Sequence, residues 1–413
     1  MSDEPMRVLV LTSSTGGGHD TRARALRDWA GREGSQPWKV QLHQALEATH
    51  ALYRVGVGAY NVIQRTWPGF HHVYYNLLEF VSFCGGSAQA VLGPKPARAP
   101  GAPPTKADIG FMPGRDGFMD FVRSVRPRLI VSTHDHLNHG FFAAAKAALP
   151  EAPPVCATYC GELEGGYGFS KHWVNPAADL FIGAVEETTA QAHQLGMAPE
   201  RAWTGGFLLD PAFWVPAEAA ADEAYFRNEL TLEPGVFTLL LSTGANSAQN
   251  HLALLEAILA DGPLPAPLQV VALCGKNEAA QRTVQEWAAR HLALRVRALP
   301  HVRNLAQLMR VSSAVVARPG TGTTSEAILT GLPLLFNTLG GIMPQEMITV
   351  KFCRGRGFGR VLKRPGDLGA AVRQWLAHPA ELAAEKARVT AARPATRPTD
   401  ILARLQALAN KRS

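Results

Sequence analysis

The chain has 413 residues, 46% of them hydrophobic and 18% charged, which is the composition of a globular protein long enough for two domains. Lys and Arg outnumber Asp and Glu by 41 to 34, and this excess favours anionic partners. No apolar run of about 18 residues occurs, residues 1–7 are polar, and the five cysteines lack a C-x-x-C pair. We therefore expect a protein of the cytoplasm without a membrane span, a secretory signal or a disulfide framework.

The first predicted strand, residues 7–12, leads into three glycines and a helix predicted over residues 20–32. Glycines such as Gly17 and Gly18 let a ligand approach the backbone closely. Their spacing is not G-x-G-x-x-G, so nicotinamide binding is not predicted. His19 lies at the helix start, where the dipole lowers its pKa and keeps the imidazole neutral, as a general base requires. A capping or core histidine is the alternative.

Residues 48–93 mix aromatic and apolar side chains with arginines and histidines. The helical spacing of Leu77, Phe80, Val81 and Cys84 would bury one stripe. Aromatic side chains mixed with cations are also typical of an element in a membrane interface, and ordinary core packing is the alternative. A proline-rich loop at residues 93–104 follows.

A predicted strand at residues 127–132 ends in a run that contains His134, His136 and His139. The carboxyl end of a strand is where open α/β sheets place their chemistry. The run differs by one residue from the T-H-x-H-x-D-H pattern of metallo-β-lactamase-type hydrolases, because Asn138 replaces the acid that the second metal needs. We therefore disfavour a metal site; His134 or His136 would contact an acceptor instead, and His139 equally suits a helix cap.

The remaining predicted strands alternate with helices in two consecutive sets, as in two parallel sheets. The first set ends near Asp210 and Pro211, which together with Pro216 mark a hinge. The strands are predicted at residues 155–158, 180–184, 201–204, 237–241, 268–273, 294–298, 313–317 and 334–337. Two such sheets, each with glycine turns at its strand ends, predict a crevice between them.

The strand at residues 313–317 runs into a glycine turn and a helix predicted over residues 323–330. The first N–H groups of a helix have no internal partner, and the dipole makes this end positive, so the turn suits a diphosphate without a metal. Glu326, about one turn into the helix, is placed to accept hydrogen bonds from a ribose. An ordinary glycine turn with a solvated acid is the alternative. Hydroxyl donors would be Thr321, Thr323, Thr324 and Ser325.

Together these motifs resemble two-domain glycosyltransferases of the GT-B fold, and within them the monogalactosyldiacylglycerol synthase and processive diacylglycerol glucosyltransferase group. MurG-type transferases share the fold and some of the turns. The match extends from the first strand to about residue 375. It rests on the T-G-G-G-H turn at residues 15–19, S-x-H at 132–134, C-G-[KR]-N at 274–277, an altered G-P-G-T-x-x-E-A turn at 319–327, and Met343-Pro344-Gln345-Glu346 in place of P-G-Q-E.

The resemblance implies an α/β fold of two Rossmann-like domains that face each other across a cleft. Residues 1–212 would form the acceptor-binding, membrane-facing domain and residues 213–380 the nucleotide-sugar domain, with the C-terminal helices of residues 381–413 packing back on the first. It also implies a donor site. Its residues would be Gly17, Gly18, Ser242, Thr243, Gly244, Lys276, His301, Val302, Arg318, Gly320, Thr321, Gly322, Thr323, Thr324, Glu326, Gln345 and Glu346.

The implied activity is inverting transfer of a hexose from UDP-galactose or UDP-glucose to diacylglycerol or a glycolipid, with His19 as base and His134 as a further catalytic residue. The enzyme would act on the anionic inner face of the cell membrane, without cofactor or metal and without nucleic acid. One departure concerns the acceptor side: residues 159–167 lack the group's T-D-x-x-x-x-H pattern and carry Cys160 where an acid is common. The alternatives are a UDP-sugar epimerase, a MurG-like transferase with another acceptor, a nucleotide-sensing module, and a metal-dependent hydrolase.

Overall fold

The computed structural model describes residues 5–15, 17–32, 38–66, 72, 109–215, 219–242 and 250–411. They divide into two compact units. The first unit contains the described parts of residues 1–210, 343–348 and 394–413, and the second contains those of residues 211–342 and 349–393. The division near residue 210 falls at the predicted hinge. The proline-rich loop and the stripe from Leu77 to Cys84 lie outside the described residues.

Twelve strands are described, and all their pairings are parallel. In chain order they are β1 (Met6–Thr12), β2 (Trp38–Gln44), β3 (Leu129–Ser132), β4 (Val155–Cys160), β5 (Leu180–Gly183), β6 (Ala202–Thr204), β7 (Phe237–Ser242), β8 (Leu268–Gly275), β9 (Arg295–Pro300), β10 (Ala314–Ala317), β11 (Leu334–Asn337) and β12 (Arg360–Leu362).

The strands form one six-stranded sheet in each unit. The first has the order β2-β1-β3-β4-β5-β6 and the second β12-β11-β10-β7-β8-β9. The inner strands are continuous apolar runs: every residue of β3, β4, β10 and β11 is buried. Strands of this kind are covered on both faces, as helices cover a doubly wound sheet. The predicted α/β class is therefore confirmed.

The α-helices of the described residues are α1 (Gly18–Ala30), α2 (Ala45–Thr49), α3 (Ala51–Thr66), α4 (Arg115–Val125), α5 (Gly140–Ala148), α6 (Glu186–Gln194), α7 (Ala219–Ala224), α8 (His251–Leu259), α9 (Glu278–Arg290), α10 (Leu305–Val311), α11 (Thr321–Thr330), α12 (Pro344–Gly355), α13 (Pro365–Ala377), α14 (Pro379–Ala391) and α15 (Pro398–Asn410). Among them is no helix with the length and apolar character to span a membrane.

The end of the chain is shared between the units. Helix α14 packs in the second unit, where Arg393 after it donates to the Ile328 carbonyl at 3.2 Å. Helix α15 packs in the first unit, where Gln406 accepts a hydrogen bond from the Trp38 indole and Ile401 is fully buried. The chain thus passes from the second unit to the first near residue 394, whereas the sequence analysis placed this boundary at residue 381.

Candidate active site

The strand order of the first sheet reverses at β1, because β2 is added on one side of it and β3 on the other. The loops that follow β1 and β3 therefore diverge and leave a crevice at the carboxyl edge, the usual ligand site of such sheets. Residues 13–17 follow β1 and Thr133–Asn138 follows β3. The topology brings His19, at the start of α1, against His134.

His19 and His134 form a contacting pair, with ring centroids 4.3 Å apart. The Nδ1 atom of His19 lies 2.7 Å from the Thr133 carbonyl oxygen. Because a carbonyl can only accept, Nδ1 carries the hydrogen, and Nε2 is the nitrogen that can take a proton. His134 Nδ1 accepts from the His136 N–H at 3.2 Å, and its Nε2 lies 2.8 Å from Thr15 Oγ1.

The environment keeps His19 neutral. Burial, reinforced by the adjacent His134, lowers the pKa of His19 from 6.5 to about 3. Asp135 acts in the opposite direction, since its carboxylate raises the pKa of His19. Burial would raise the pKa of Asp135, yet the imidazoles of His136 and His134 hold it well below its ordinary value. An ionised carboxylate therefore stands ready to stabilise an imidazolium at His19.

Glu47, at α2, fixes the loop that follows β1. Its Oε1 atom accepts hydrogen bonds from Ser13 Oγ at 3.0 Å, from the Ser14 N–H at 2.8 Å and from Ser14 Oγ at 2.7 Å. Burial raises the pKa of Glu47, but these donors outweigh it and the net shift is downward. The sequence analysis missed this residue, because no spacing rule links an acid to serines more than 30 positions away.

For the sugar transfer that the sequence analysis predicts, we expect Glu47→Ala to lower kcat by about tenfold or more while the affinity for UDP stays unchanged, because a released loop misplaces Thr15 and His19. Glu47→Gln, whose amide oxygen can still accept from Ser14, should recover most of that rate. Steady-state kinetics and calorimetry with UDP check both variants. A wild-type kcat in the alanine variant would remove the positioning role.

Arg22 and Glu162 form a buried polar cluster near the histidine pair. Arg22, on α1, donates to the Gly161 carbonyl at 3.0 Å, and a β-carbon on Gly161 would lie 2.0 Å from Arg22 Nε. Burial, opposed by Arg22 and assisted by Asp135, raises the pKa of the neighbouring Glu162 to about 7. Cys160 stands where the group that the sequence resembles commonly has an acid. The same loop thus supplies a buried carboxyl two residues later, at Glu162.

Two other histidines of the loop after β3, His136 and His139, contact His172. Its ring centroid lies 5.0 Å from that of His136 and 6.1 Å from that of His139. Burial and the two neighbouring imidazoles lower the pKa of His139 to about 4. No group of three or more His, Cys, Asp or Glu in the described part of the chain is arranged to hold a metal ion. His139 precedes α5, but its side chain forms no capping hydrogen bond there.

In the second sheet the strand order reverses between β10 and β7, which are neighbours. The loop after β10 is the glycine turn, and α11 begins at Thr321 with Gly320 as its N-cap. A β-carbon on Gly320 or Gly322 would meet no atom of the described residues within 4 Å, so the space at the turn is open. Ser242 ends β7 on the other side, whereas Thr243 and Gly244 lie outside the described residues.

Glu326 lies in the second turn of α11 and is only 8% exposed. Thr324 is fully buried, and its Oγ1 has no hydrogen-bond partner within the described residues. The Ser325 hydroxyl donates to the Thr321 carbonyl at 2.8 Å. Arg318 donates to the Leu339 carbonyl at 3.4 Å, a contact that holds its guanidinium beside the turn.

The other predicted donor residues lie on neighbouring strand ends of the second sheet. Lys276 follows β8 and lines a groove of 460 Å³, and Asn277 caps α9 by accepting from the Ala280 N–H at 3.0 Å. His301, which is exposed, and Val302, which is half-buried, follow β9. All three predicted residues thus lie at the carboxyl edge of the sheet, like the glycine turn.

Gln345 and Glu346 pack with the first unit, within residues 343–348. Gln345 Nε2 lies 3.3 Å from the Tyr60 hydroxyl of α3. Glu346 is buried, and its Oε2 accepts from the Met343 N–H at 2.9 Å, which caps the start of α12. Backbone also approaches closely here, since a β-carbon on Gly168 would lie 2.1 Å from the Pro344 carbonyl oxygen.

Known proteins resemble this chain in part of its sequence and in its fold. Residues 238–347 match the glycosyltransferase family 28 C-terminal domain. MurG of Acinetobacter baumannii has a similar fold, with a TM-score of 0.57 and 14% identity over 98% of this chain and all of that one. Residues 238–347 therefore resemble a family 28 domain, and the chain has the predicted GT-B fold.

The resemblance to the group predicted from the motifs is also confirmed. Monogalactosyldiacylglycerol synthase of Spinacia oleracea is 23% identical over 380 residues, which are 90% of this chain and 66% of that protein. The processive diacylglycerol beta-glucosyltransferase of Bacillus subtilis is 23% identical over 379 residues, 90% of this chain and 87% of that one. The chain thus spans slightly less than two thirds of the spinach protein.

Proposed function

We propose that the protein transfers a hexose from a UDP-sugar to diacylglycerol or a glycolipid, with inversion at the anomeric carbon. The observation that carries this proposal is His19, a neutral imidazole fixed through Nδ1 at the crevice of the first sheet. An imidazole so held offers Nε2 to a hydroxyl group. The relatives named as diacylglycerol transferases support the acceptor class.

In the proposed reaction, His19 Nε2 takes the proton of the acceptor hydroxyl while that oxygen bonds to the anomeric carbon and the bond from that carbon to UDP breaks. One proton moves to His19, and UDP leaves with the electron pair of the broken bond. Asp135 stabilises the resulting imidazolium, because its charge already raises the pKa of His19. Attack opposite the leaving group inverts the anomeric carbon without a covalent intermediate.

For the donor, the first amides of α11 and the positive end of its dipole suit the diphosphate of UDP. Glu326 would accept the ribose hydroxyls, and Arg318 and Lys276 supply positive charge near the same sheet edge. The sequence has no D-x-D motif of the kind that holds a metal with a sugar diphosphate. We therefore propose that the leaving group is stabilised by backbone amides and cations of the chain.

We place the reaction at the inner face of the cell membrane, because α3 presents an apolar stripe to solvent. Leu52, Val55 and Val62, spaced at helical intervals, are 61%, 71% and 59% exposed. On the opposite side of α3, Val57 is buried in the core of the first unit and Tyr53 packs against it. An amphipathic helix of this kind can lie in the headgroup region of a bilayer, where a lipid acceptor is found.

Replacing Leu52, Val55 and Val62 together by serine should reduce binding to vesicles that contain diacylglycerol, because each leucine or valine that leaves water contributes about 1.5–3 kcal/mol. Cosedimentation with vesicles measures the bound fraction. The matched control is Leu292→Ser, which removes a leucine that is 88% exposed in the second unit. Equal vesicle binding by the triple variant and wild type would show that α3 does not contact the membrane.

One assay distinguishes the proposed function from its alternatives. Purified protein is incubated with sugar-labelled UDP-galactose or UDP-glucose and vesicles that contain diacylglycerol, with and without a chelator. We expect label in the lipid phase under both conditions. Conversion of the UDP-sugar without lipid would indicate an epimerase, activity lost with chelator a metal-dependent enzyme, and UDP binding without any turnover a nucleotide sensor.

A further inference from the structure

A second cavity, of 570 Å³, opens in the second unit between α12, β12 and α14. Four cationic side chains line it: Arg354 near the end of α12, Arg360 and Lys363 at β12, and Arg388 near the end of α14. We call these residues, with Glu385 at the base, the basic groove. None of them takes part in the proposed transfer.

The groove carries more positive charge than the chain neutralises. Glu385 is its acid, and Arg360 pairs with it at 3.2 Å and donates to Gln374 Oε1 at 2.7 Å. Arg388 donates to the neutral Gly357 carbonyl at 2.7 Å. Neither Arg354 nor Lys363 forms an ion pair within the described part of the chain. Burial raises the pKa of the Glu385 carboxyl, and Arg388 also lies close enough to lower it, so Arg360 and Arg388 share the one acid. The groove thus has four cations and one acid, an excess of three positive charges.

The backbone between α12 and β12 makes the groove a defined shape. Gly357 and Gly359 have φ angles of 75° and 81°, which side chains other than glycine rarely adopt. A β-carbon on Gly359 would lie 2.7 Å from the buried ring of Phe336. Because this turn packs directly on the core, Arg360 and the Gly357 carbonyl that holds Arg388 are fixed in place.

The groove lies away from the glycine turn. Arg360 is the first residue of β12 and pairs with Leu335, near the start of β11, so this part of the groove is at the amino edge of the sheet. The glycine turn follows the last residue of β10, at the carboxyl edge. Lys363 follows the last residue of β12, so the groove extends along this edge strand, which β11 separates from β10 and the glycine turn. A ligand held by Arg354, Arg360 and Arg388 is therefore distinct from the sugar nucleotide.

We propose that the basic groove binds a phosphate group, carried by a soluble phosphorylated molecule or by an anionic phospholipid headgroup. Arginine presents its donors in a planar fork that matches phosphate oxygens, and lysine adds a point charge. The excess positive charges around one concave surface repel each other unless an anion lies among them. The inference is independent of the transfer reaction.

The test uses the full chain saturated with UDP, so that the donor site is occupied. Calorimetry with inorganic pyrophosphate probes a soluble ligand, and cosedimentation with phosphatidylcholine vesicles, with or without phosphatidylglycerol, probes a headgroup. The variant is Arg354→Ala with Arg388→Ala. The control is Arg227→Ala, an exposed arginine of the same unit that pairs with Glu223 at 3.0 Å.

We expect the double variant to bind pyrophosphate, or phosphatidylglycerol vesicles, about tenfold more weakly than wild type, while the control and the affinity for UDP stay unchanged. A loss confined to pyrophosphate assigns a soluble ligand, and a loss confined to anionic vesicles assigns a headgroup. Equal binding by wild type and the double variant with both probes overturns the proposal, as does the absence of binding to either probe.

Discussion

Replacing His19 by alanine is expected to reduce sugar transfer by about 10²- to 10⁴-fold, the usual contribution of a positioned general base. The side chain is buried, neutral and fixed by the Thr133 carbonyl, and its removal takes away the group that we propose as the base. The affinity for UDP should not change, because the glycine turn and Glu326 belong to the second unit. Initial rates of lipid labelling and calorimetry with UDP measure the two effects.

His139→Ala is the matched control for this experiment, because His139 belongs to the same histidine-rich loop but does not contact His19. It should retain transfer near the wild-type rate. Turnover retained by His19→Ala would discard the base assignment. Activity lost in His139→Ala and kept in His19→Ala would place the essential imidazole at His139 and overturn the assignment to His19.

Glu326→Ala should weaken UDP binding by about 1–3 kcal/mol, which is about 5- to 150-fold, if it removes the charged acceptor of the ribose hydroxyls. Glu326 is almost completely buried on α11, directly after the glycine turn. Calorimetry with UDP, and with deoxy-UDP analogues that lack a ribose hydroxyl, measures the loss. Glu326→Ala should bind UDP and the analogues with nearly equal affinity.

The control for this prediction is Glu256→Ala, which removes an exposed acid from α8 in the same unit. It should leave the affinity for UDP unchanged. An unaltered affinity in Glu326→Ala would reject the ribose role and leave Glu326 as a buried acid of the helix.

The strands that are buried along their whole length were all predicted from the sequence. Short runs such as Leu129–Ser132 and Leu334–Asn337 are apolar up to their last residue, so they can be recognised as buried strands from their own sequence. The sequence missed β2 and β12, which lie at the sheet edges. The side chains of β2 alternate between half-buried and exposed, and β12 has three residues, so neither shows a buried run.

Helix starts were predicted two residues late at both glycine turns. Helix α1 begins at Gly18 and α11 at Thr321, whereas the sequence analysis placed their starts at residues 20 and 323. Glycine is a poor helix former, so propensity argues against it at these positions. In α1, however, Gly17 caps the helix with a φ of 78°, and the helix begins directly after it.

His19 and His134 lie close together because each follows one of two adjacent parallel strands, β1 and β3. Supporting groups could not be found in this way. Glu47 and Glu162 reach the site through contacts with residues distant in sequence, and a buried pKa depends on packing that a motif does not record. The same limit applies to Gln345 and Glu346, whose motif did not indicate that they pack with the first unit.

The configuration of the new glycosidic bond tests the central claim most directly. Product made from an α-linked UDP-sugar and diacylglycerol, in the presence of a chelator, is isolated and its anomeric proton is examined by NMR. Direct attack by a hydroxyl that His19 deprotonates predicts a β-linked sugar on the lipid. An α-linked sugar would contradict the proposed chemistry.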